Sequence, residues 1–486
     1  MTLRKRLAKA ILKFLRVSNV YEGAQFSPDR SLLWQALQDA RIDIDKATRE
    51  ELQRKFRYFE ANSPVIQRLA DVTEQFVVGT GLQLMPSSSS DDFNRRAKEA
   101  YEEWCESPSV GTYQSMADLE QLWVRCWAVD GEAFISLTNK GGGLPAVQSI
   151  EAHRIKTPEL LSKSEGKTII DGININPTTG LPMSYWLSTV VDGKTTFGDP
   201  IPARFMLHLF DAGRPGQYRG LPWAYAATNR LHDCDDIHRL EMQAAKDNAR
   251  ISRFIKTKNG EIDTAAALRG EITNDDATRL RYYESVLGAE AKALYQGDDV
   301  LQFGGERPSV VTVEFMKSLI ADVCNAWGIP MQMAFPESIQ GTVERAILDA
   351  ADVYFKSKFK VFASVKMAVY RYWLDYAVRN VPGLMRKPEG WNRAMVLPPR
   401  SCNVDPGYRG KAMMDSLAAG ATNWGRIYGD LGLDWRTEFH ALKDQIDYAK
   451  TIGLDISELG VMLRAQSLQP KQEEEKKDEK LADDSE

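Results

Sequence analysis

The stretch Leu207-His208-Leu209-Phe210-Asp211-Ala212-Gly213-Arg214-Pro215-Gly216-Gln217-Tyr218-Arg219-Gly220-Leu221-Pro222-Trp223 joins two different sequence patterns. Gly and Pro occupy five of the ten positions from 213 to 222, a density that favours turns. Residues 205–210 before them have the pattern of a strand, whereas 224–253 contain no Gly or Pro and have helical periodicity. The stretch therefore predicts a change from β-structure to helix.

Upstream of this change, residues 131–210 have the pattern of a small, mainly antiparallel β region. The predicted strands are 132–137, 146–150, 168–175, 184–191 and 205–210. Turn signals such as Gly141-Gly142-Gly143, Asp171-Gly172 and Asp192-Gly193 separate them.

Helical periodicity dominates the rest of the chain. The predicted helices are 29–76, 91–105, 115–129, 224–253, 313–327 and 342–379, with a smaller helical domain at 407–465. A short extended stretch is expected at 76–82, and Gly328-Ile329-Pro330 ends one helix. The fold class is therefore α+β, with the small antiparallel β region set between helical parts.

Composition excludes several classes of protein. The 486 residues are 43% hydrophobic and 27% charged, with a net charge of −5, as in an ordinary soluble protein. No apolar run is long enough for a membrane span, and Lys9 and Lys13 interrupt any signal-peptide core. The five scattered cysteines form no CxxC pair, so reduced thiols are expected and zinc is not. A sequence-reading DNA binder would carry a stronger basic footprint.

The sequence contains strings that look like phosphate-binding or metal-binding motifs, but their residue spacing does not match those motifs. Gly166-Lys167-Thr168 and Gly193-Lys194-Thr195 imitate a phosphate loop, but Leu161 and Ser188 stand where its first Gly is required. His232 and His238 are six residues apart, whereas ligand pairs on one helix are three or four apart. We therefore expect no enzyme activity, no metal and no cofactor.

The quoted stretch resembles the lambda-type phage portal family, in which an RPGQ-x-RG-x-PW segment precedes a helix with a leucine-aspartate-rich start. Here that helix contains Leu231-His232-Asp233-Cys234-Asp235-Asp236. Further similar elements follow in the same order, over roughly residues 30–460: Asp130-Gly131-Glu132, Gly180-Leu181-Pro182, Gly328-Ile329-Pro330, Val404-Asp405-Pro406 and Leu417-Ala418-Ala419-Gly420. One departure is the loop at 338–346, which keeps the Arg345-Ala346 pair but lacks the family's Ser/Asn-rich turn.

The resemblance implies a portal fold with named parts. These are a helical wing at 1–228 containing the β region 131–210, stem helix 1 at 229–253, a mixed clip at 254–312, stem helix 2 at 313–328, a tunnel loop at 329–345, the long wing helix at 346–400, a helical crown at 401–465 and a disordered acidic tail at 466–486.

The resemblance also implies function and partners. The chain would form a ring, of twelve copies, at the portal vertex of the virion after assembly in the host cytoplasm. Double-stranded DNA would pass through it without sequence-specific contact. The terminase large subunit, head-tail adaptor proteins, and the major capsid and scaffold proteins are the implied partners, with no membrane.

Two sets of residues are candidates for contacts. The tunnel-loop set, expected to face DNA, is Glu337, Ser338, Gln340, Gly341 and Thr342. The second set is Arg214, Gln217, Arg219 and Trp223. For these, an interface between subunits and a simple Gly/Pro-built turn are equally compatible with the sequence.

Three other functions stay open on the sequence alone. One is another head-completion or minor capsid protein, whose ring would form without a stem-clip hairpin. Another is a portal-like scaffold fused to an enzyme such as a nuclease, which would need a carboxylate cluster for metal. The last is a membrane-surface protein that uses the amphipathic, basic segment 3–16, for which packing on the chain's own domain is the simpler interpretation.

Overall fold

The computed structural model describes residues 38–111, 113–250, 254–256, 292–294, 310–335, 342–399, 406–430, 433 and 435–451. The helices are α1 (Ala40–Asp43), α2 (Lys46–Asn62), α3 (Pro64–Val77), α4 (Asp91–Cys105), α5 (Met116–Val129), α6 (Thr228–Arg250), α7 (Val310–Trp327), α8 (Met331–Ala334), α9 (Thr342–Asn380), α10 (Pro406–Ala418), α11 (Trp424–Asp430) and α12 (Trp435–Thr451). The strands are β1 (Leu84–Pro86), β2 (Glu132–Asn139), β3 (Pro145–Ile150), β4 (Ile169–Ile170), β5 (Ile173–Ile175), β6 (Pro182–Tyr185), β7 (Ser188–Val191), β8 (Lys194–Phe197), β9 (Ile201–Pro202), β10 (Met206–Phe210), β11 (Phe254–Lys256), β12 (Lys292–Leu294) and β13 (Ala394–Val396). The architecture is mixed helix and strand, as predicted.

Two expectations for the first hundred residues are wrong. The expected single helix over 29–76, of which 29–37 lie outside the described residues, is broken between Asp43 and Lys46. It is broken again where Ser63 caps one helix and Pro64 begins the next, because proline lacks the N–H that a continuing helix needs. The expected extended stretch at 76–82 is also displaced, since α3 runs to Val77 and the strand is β1. That strand pairs antiparallel with β13, a partner too far along the chain for a local pattern to reveal.

Side-chain caps fix the starts of α2, α4 and α5. The Asp45 carboxylate accepts a hydrogen bond from the Thr48 N–H at 2.8 Å, and the Ser90 hydroxyl accepts one from the Phe93 N–H. Ser115 and Asp118 form a reciprocal capping box. These caps place α4 and α5 within a residue of the predicted 91–105 and 115–129.

The β region consists of small antiparallel sheets in the order β10-β2-β3 and β4-β5-β6-β9, with β7-β8 as a separate two-stranded hairpin. In the first sheet Phe134 on β2 lies opposite His208 on β10 and Ile150 on β3. Strands β2–β7 and β10 lie within two residues of the predicted intervals, whereas β8 and β9 lie outside them. The predicted turns at Asp171-Gly172 and Asp192-Gly193 have the positive φ angles that tight hairpins require.

One large core holds the helices to the β region. Its fully buried large side chains include Phe56, Trp123, Trp127, Trp327 and Phe362. A second cluster, around Tyr101 and Trp373, joins α4 to the C-terminal half of α9. The helix predicted at 342–379 is α9, which runs for 39 residues. The region 407–465 is helical as far as it is described, to Thr451.

Helices α6 and α7 lie side by side and antiparallel. Arg230 near the start of α6 binds Asp322 near the end of α7, with Nε 2.8 Å from Oδ2. Between these helices the structure describes only β11 and β12, which pair in parallel.

Candidate functional site

The segment Arg219–Trp223, within the stretch that decides the fold, packs backbone to backbone along the end of α5 and the start of β2. The Trp223 N–H donates to the Ala128 carbonyl at 3.0 Å. A Cβ on Gly131, where φ is +84°, would lie 2.1 Å from the Leu221 carbonyl carbon. A Cβ on Gly220 would lie 2.0 Å from the Gly131 carbonyl oxygen. Both positions therefore require glycine.

This close approach of the two backbone segments places the Arg219 side chain in contact with the Glu132 carboxylate. Arg219 Nη2 donates to Glu132 Oε1 at 2.7 Å and Nε donates to Oε2 at 2.9 Å, a two-pronged pair that is almost fully buried. The remaining N–H groups donate to the carbonyls of Ala152, Ile155 and Asp171 at 2.6–3.0 Å. The guanidinium thus ties β2 to the loops that precede β4 and to the β4-β5 turn.

Arg49 of α2 completes the cluster from the other side. Its Nε donates to Asp171 Oδ2 at 2.6 Å, and its Nη1 donates to Gln53 Oε1 at 2.7 Å. Gln53 in turn donates to the Asp130 carbonyl and to Glu132. We call the set Arg49, Glu132, Asp171, His208 and Arg219 the ionic junction, in which two arginines balance two carboxylates.

His208 closes the junction on the β10 side. Its Nε2 lies 3.1 Å from Glu132 Oε2, and its ring is stacked between Phe134 and Phe210. Burial lowers the pKa of His208, and the hydrogen bond with Glu132 offsets this only in part. Burial raises the pKa of Glu132, but the charge of Arg219 and the hydrogen bonds from His208 and Arg219 outweigh it and hold that pKa well below its usual range. The carboxylate is therefore ionised and the imidazole neutral at pH 7.

An aromatic cluster continues from the junction to the bases of α6 and α7. The Trp223 ring meets Trp127 edge-on, with centroids 5.0 Å apart, and Trp327 at 6.0 Å. Lys358 of α9 places its Nζ 4.1 Å from the Trp223 ring centroid and 2.6 Å from Asp211 Oδ2. The stretch 207–223 is therefore anchored to α5, α7 and α9 together.

The four residues of the second candidate set differ in their burial and in their contacts. Arg219 and Trp223 make the contacts just described inside their own chain, which supports the turn interpretation for them. Arg214 is half exposed and pairs with Asp43 while donating to the Gln38 carbonyl. Gln217 accepts from the Gly213 N–H and donates to the Arg219 carbonyl, at 2.9 and 2.8 Å. Arg219 is buried, Gln217 and Trp223 are partly buried, and Arg214 is exposed, so Arg214 is the most accessible of the four for an interface.

The tunnel-loop candidates Glu337, Ser338, Gln340 and Gly341 lie outside the described residues, and Thr342 is the first residue of α9. Gly193 forms the β7-β8 turn and Gly166 a turn before β4, as their spacing predicts. His232 packs edge-on against Phe59 rather than beside His238. Within the described ranges, no three His, Cys, Asp or Glu side chains are grouped to hold a metal ion.

The described cysteines Cys105, Cys126, Cys234 and Cys324 are free thiols. Burial raises the pKa of Cys126 to about 12 and that of Cys105 to about 11. Among the described residues no helix is long and apolar enough to cross a membrane.

Sequence reasoning missed Arg49 as part of this site. A signal was present, because Arg49 and Gln53 fall on the buried face of α2 with Phe56 and Phe59. Polar residues on the apolar face of an amphipathic helix indicate a buried partner. Nothing in the local pattern identified that partner as Asp171.

Comparison with known proteins gives one family. A profile described as "Phage portal protein, lambda family" matches residues 29–336. The chain is also similar to a "Probable portal protein" of Halomonas phage phiHAP-1, 24% identical over 370 residues, which cover 71% of this chain and 69% of that protein.

Solved structures of lower likeness include "Neck of native GTA particle computed with C12 symmetry", at 14% identity and a TM-score of 0.45 over 80% of this chain and 94% of that one. Another is "Virion of native gene transfer agent (GTA) particle", at 15% identity and a TM-score of 0.43 over 79% and 93%.

Proposed function

Because the chain belongs to the lambda family of phage portal proteins, we propose that it assembles as a ring of twelve copies at one capsid vertex and conducts the genome through that ring. The members of this family are structural proteins. The observation that carries the proposal is the antiparallel pair α6 and α7, which the family motif at 207–223 anchors to the core. The ionic junction and the tryptophan cluster make that anchor rigid.

The helix pair α6 and α7 is the starting point for assigning the other parts of each ring subunit. We propose that α6 and α7 form the stem and that residues 254–312 between them form the clip. The helices and β region before α6 form the wing, together with the long helix α9. Residues 329–345 are the tunnel loop and 401–465 the crown, with the acidic tail at 466–486 beyond it.

The charge of the chain suits a conduit. A net charge of −5 per subunit is multiplied twelvefold in the ring. A duplex carries negative phosphates along its whole length, so a basic channel would hold it while an acidic one lets it slide. We propose that contact with DNA is confined to the tunnel-loop residues Glu337, Ser338, Gln340, Gly341 and Thr342. Alanine at Gln340 and Thr342 should then lower packaging of DNA into heads, and unchanged packaging would exclude these two as contacts.

The proposed partners bind two different parts of the ring, the clip and the wing. The clip would meet the terminase large subunit during packaging and the head-tail adaptor proteins afterwards. The wing would meet the major capsid and scaffold proteins. Assembly would take place in the host cytoplasm, before the ring becomes part of the virion.

Negative-stain electron microscopy and mass photometry of the purified full chain test the proposal. Rings of about twelve subunits around a central hole are expected. A chain that stays monomeric with the scaffold and capsid proteins present would overturn the proposal.

A further inference from the structure

The outer face of α9 has an unusual composition. Seven of its residues are exposed and uncharged and are spaced three or four apart, which places them on one side of the helix: Val343, Ala346, Ala350, Val353, Ser357, Val361 and Ser364. We call them the outer stripe. Val353 is 70% exposed and Val343 58%.

The opposite face of the same helix is already buried in the core, through Ala351, Phe355, Phe362 and Val365. Asp349, Lys356 and Lys360 lie on a flank between the two faces. A helix that is apolar on both faces is normally buried on both. Over residues 343–364 the outer stripe is about 32 Å long, so it needs an extended partner.

The outer stripe runs on into a cleft. Ser364, at its end, lines a cleft of about 420 Å³ together with Ala368, Phe210 and Tyr218. The apolar surface therefore continues from the helix onto the β region. A continuous patch of this kind marks a site of protein association.

Helix α6 packs against α7. Arg230 of α6 pairs with Asp322 of α7, and Trp327 of α7 donates to the Thr73 hydroxyl of α3 at 3.0 Å. Phe76 of α3 then stacks on Phe355 of α9. Helix α9 also meets the end of α7 directly, because the Tyr354 hydroxyl donates to the Trp327 carbonyl at 2.7 Å. The described contacts thus link α6 to α9 through α7. A ring contact joins two different faces of each subunit, and α6 and α9 present two such faces.

Helices α6 and α9 also match in charge and spacing. Asn229, Asp233, Asp236, Leu240 and Gln243 of α6 are all exposed and share one face. Asp233 has no ion-pair partner among the described residues, and the same is true of Lys360 at the border of the outer stripe. If the helices run antiparallel with Asp233 beside Lys360, the seven-residue spacing also puts Leu240 beside Val353. The small side chains Ala350 and Ser357 flank Val353 and leave room for a leucine.

We propose that the outer stripe of α9 in one subunit packs against the Asp233–Leu240 face of α6 in the next copy of this chain, with Lys360 paired to Asp233. This contact rests on the proposed ring. It assigns the two surfaces that close the ring to named residues of the described chain.

Val353→Glu in the full chain, with Val190→Glu as its matched control, tests the stripe. Val190 lies on the β7-β8 hairpin and is 69% exposed, so the two variants differ only in the surface they alter. Val353→Glu should leave a folded monomer with the thermal melt of the wild type and no rings in mass photometry, while Val190→Glu should form rings. Rings from Val353→Glu, including rings that form but no longer bind scaffold or capsid protein, would overturn the contact between copies. Loss of rings in both variants would do the same.

A charge exchange tests the choice of α6. Lys360→Glu and Asp233→Lys should each lower the fraction of chain in rings roughly tenfold, because each places like charges opposite one another. The double variant should regain rings, and Lys194→Glu should have no effect. No recovery in the double variant would overturn the assignment to α6 even if Val353→Glu fails to fold. If the wild type itself gives no rings with scaffold present, the proposed function falls as well, which separates the two failures.

Discussion

Two ion pairs join parts of the chain that are distant in sequence, and their surroundings differ. Arg219 and Glu132 in the ionic junction are sealed in the core, and every remaining N–H group of Arg219 has a carbonyl acceptor. Arg230 and Asp322, which hold α6 against α7, are each about half exposed, at 50% and 49%. Water can replace either partner in the second pair but not in the first. The ion pair below the helix pair is therefore sealed from water, while the ion pair between the two helices is open to it.

The largest effect is expected from Arg219→Ala. The substitution leaves the Glu132 carboxylate buried without its two-pronged arginine partner. It also leaves the carbonyls of Ala152, Ile155 and Asp171 without the N–H groups that Arg219 donates to them. Removal of one member of a buried pair costs about 3–5 kcal/mol. Urea denaturation followed by tryptophan fluorescence measures the free energy of unfolding.

Arg214→Ala is the control for that measurement, since it removes a surface pair from the same loop and should cost less than about 1 kcal/mol. Equal losses of unfolding free energy in Arg219→Ala and Arg214→Ala would contradict the expected difference between a buried and a surface ion pair.

A somewhat smaller effect is expected from Gly220→Ala. The new methyl group would overlap the Gly131 carbonyl oxygen, so the two backbone segments must separate. Such overpacking costs about 1–3 kcal/mol. Gly213→Ala is the matched control, because its Cβ would meet only Gln217 Oε1, at 3.7 Å. A Gly220→Ala chain as stable as Gly213→Ala would show that the backbone contact is not needed.

These residues also show how far the sequence predicts the site. Turn chemistry and periodicity located the β region, α4, α5 and α9 almost to the residue, because those signals are local. The sequence did not predict the buried ion pairs of Arg49 and Lys366, although each residue lies on the buried face of its helix. Lys366 binds Glu120 of α5 at 2.5 Å, and Arg49 binds Asp171 of the β4-β5 turn. Their partners lie far along the chain, so no local pattern could pair them. The β1-β13 pairing escaped for the same reason.

The junction also predicts a dependence of stability on pH. The pKa of His208 in the folded chain lies below its ordinary 6.5 because of burial. As pH falls below about 6.5, the unfolded chain gains a proton at this residue that the folded chain does not, so the free energy of unfolding decreases. His208→Asn keeps a donor for Glu132 but does not titrate. The wild type should therefore lose more stability than His208→Asn between pH 8 and pH 5.5, measured by urea denaturation. Parallel pH profiles would mean that His208 is charged or accessible in the folded chain.

The smallest effect belongs to the exposed pair. Arg230→Ala should change the free energy of unfolding by less than about 1 kcal/mol, because both partners are hydrated before and after the change. High salt should remove even that difference, since screening acts on exposed charges and spares buried ones. Urea denaturation of the wild type and of Arg230→Ala at low and high salt measures both effects. A loss as large as that of Arg219→Ala, insensitive to salt, would mean that the exposed pair stabilises the chain as much as the buried pair does.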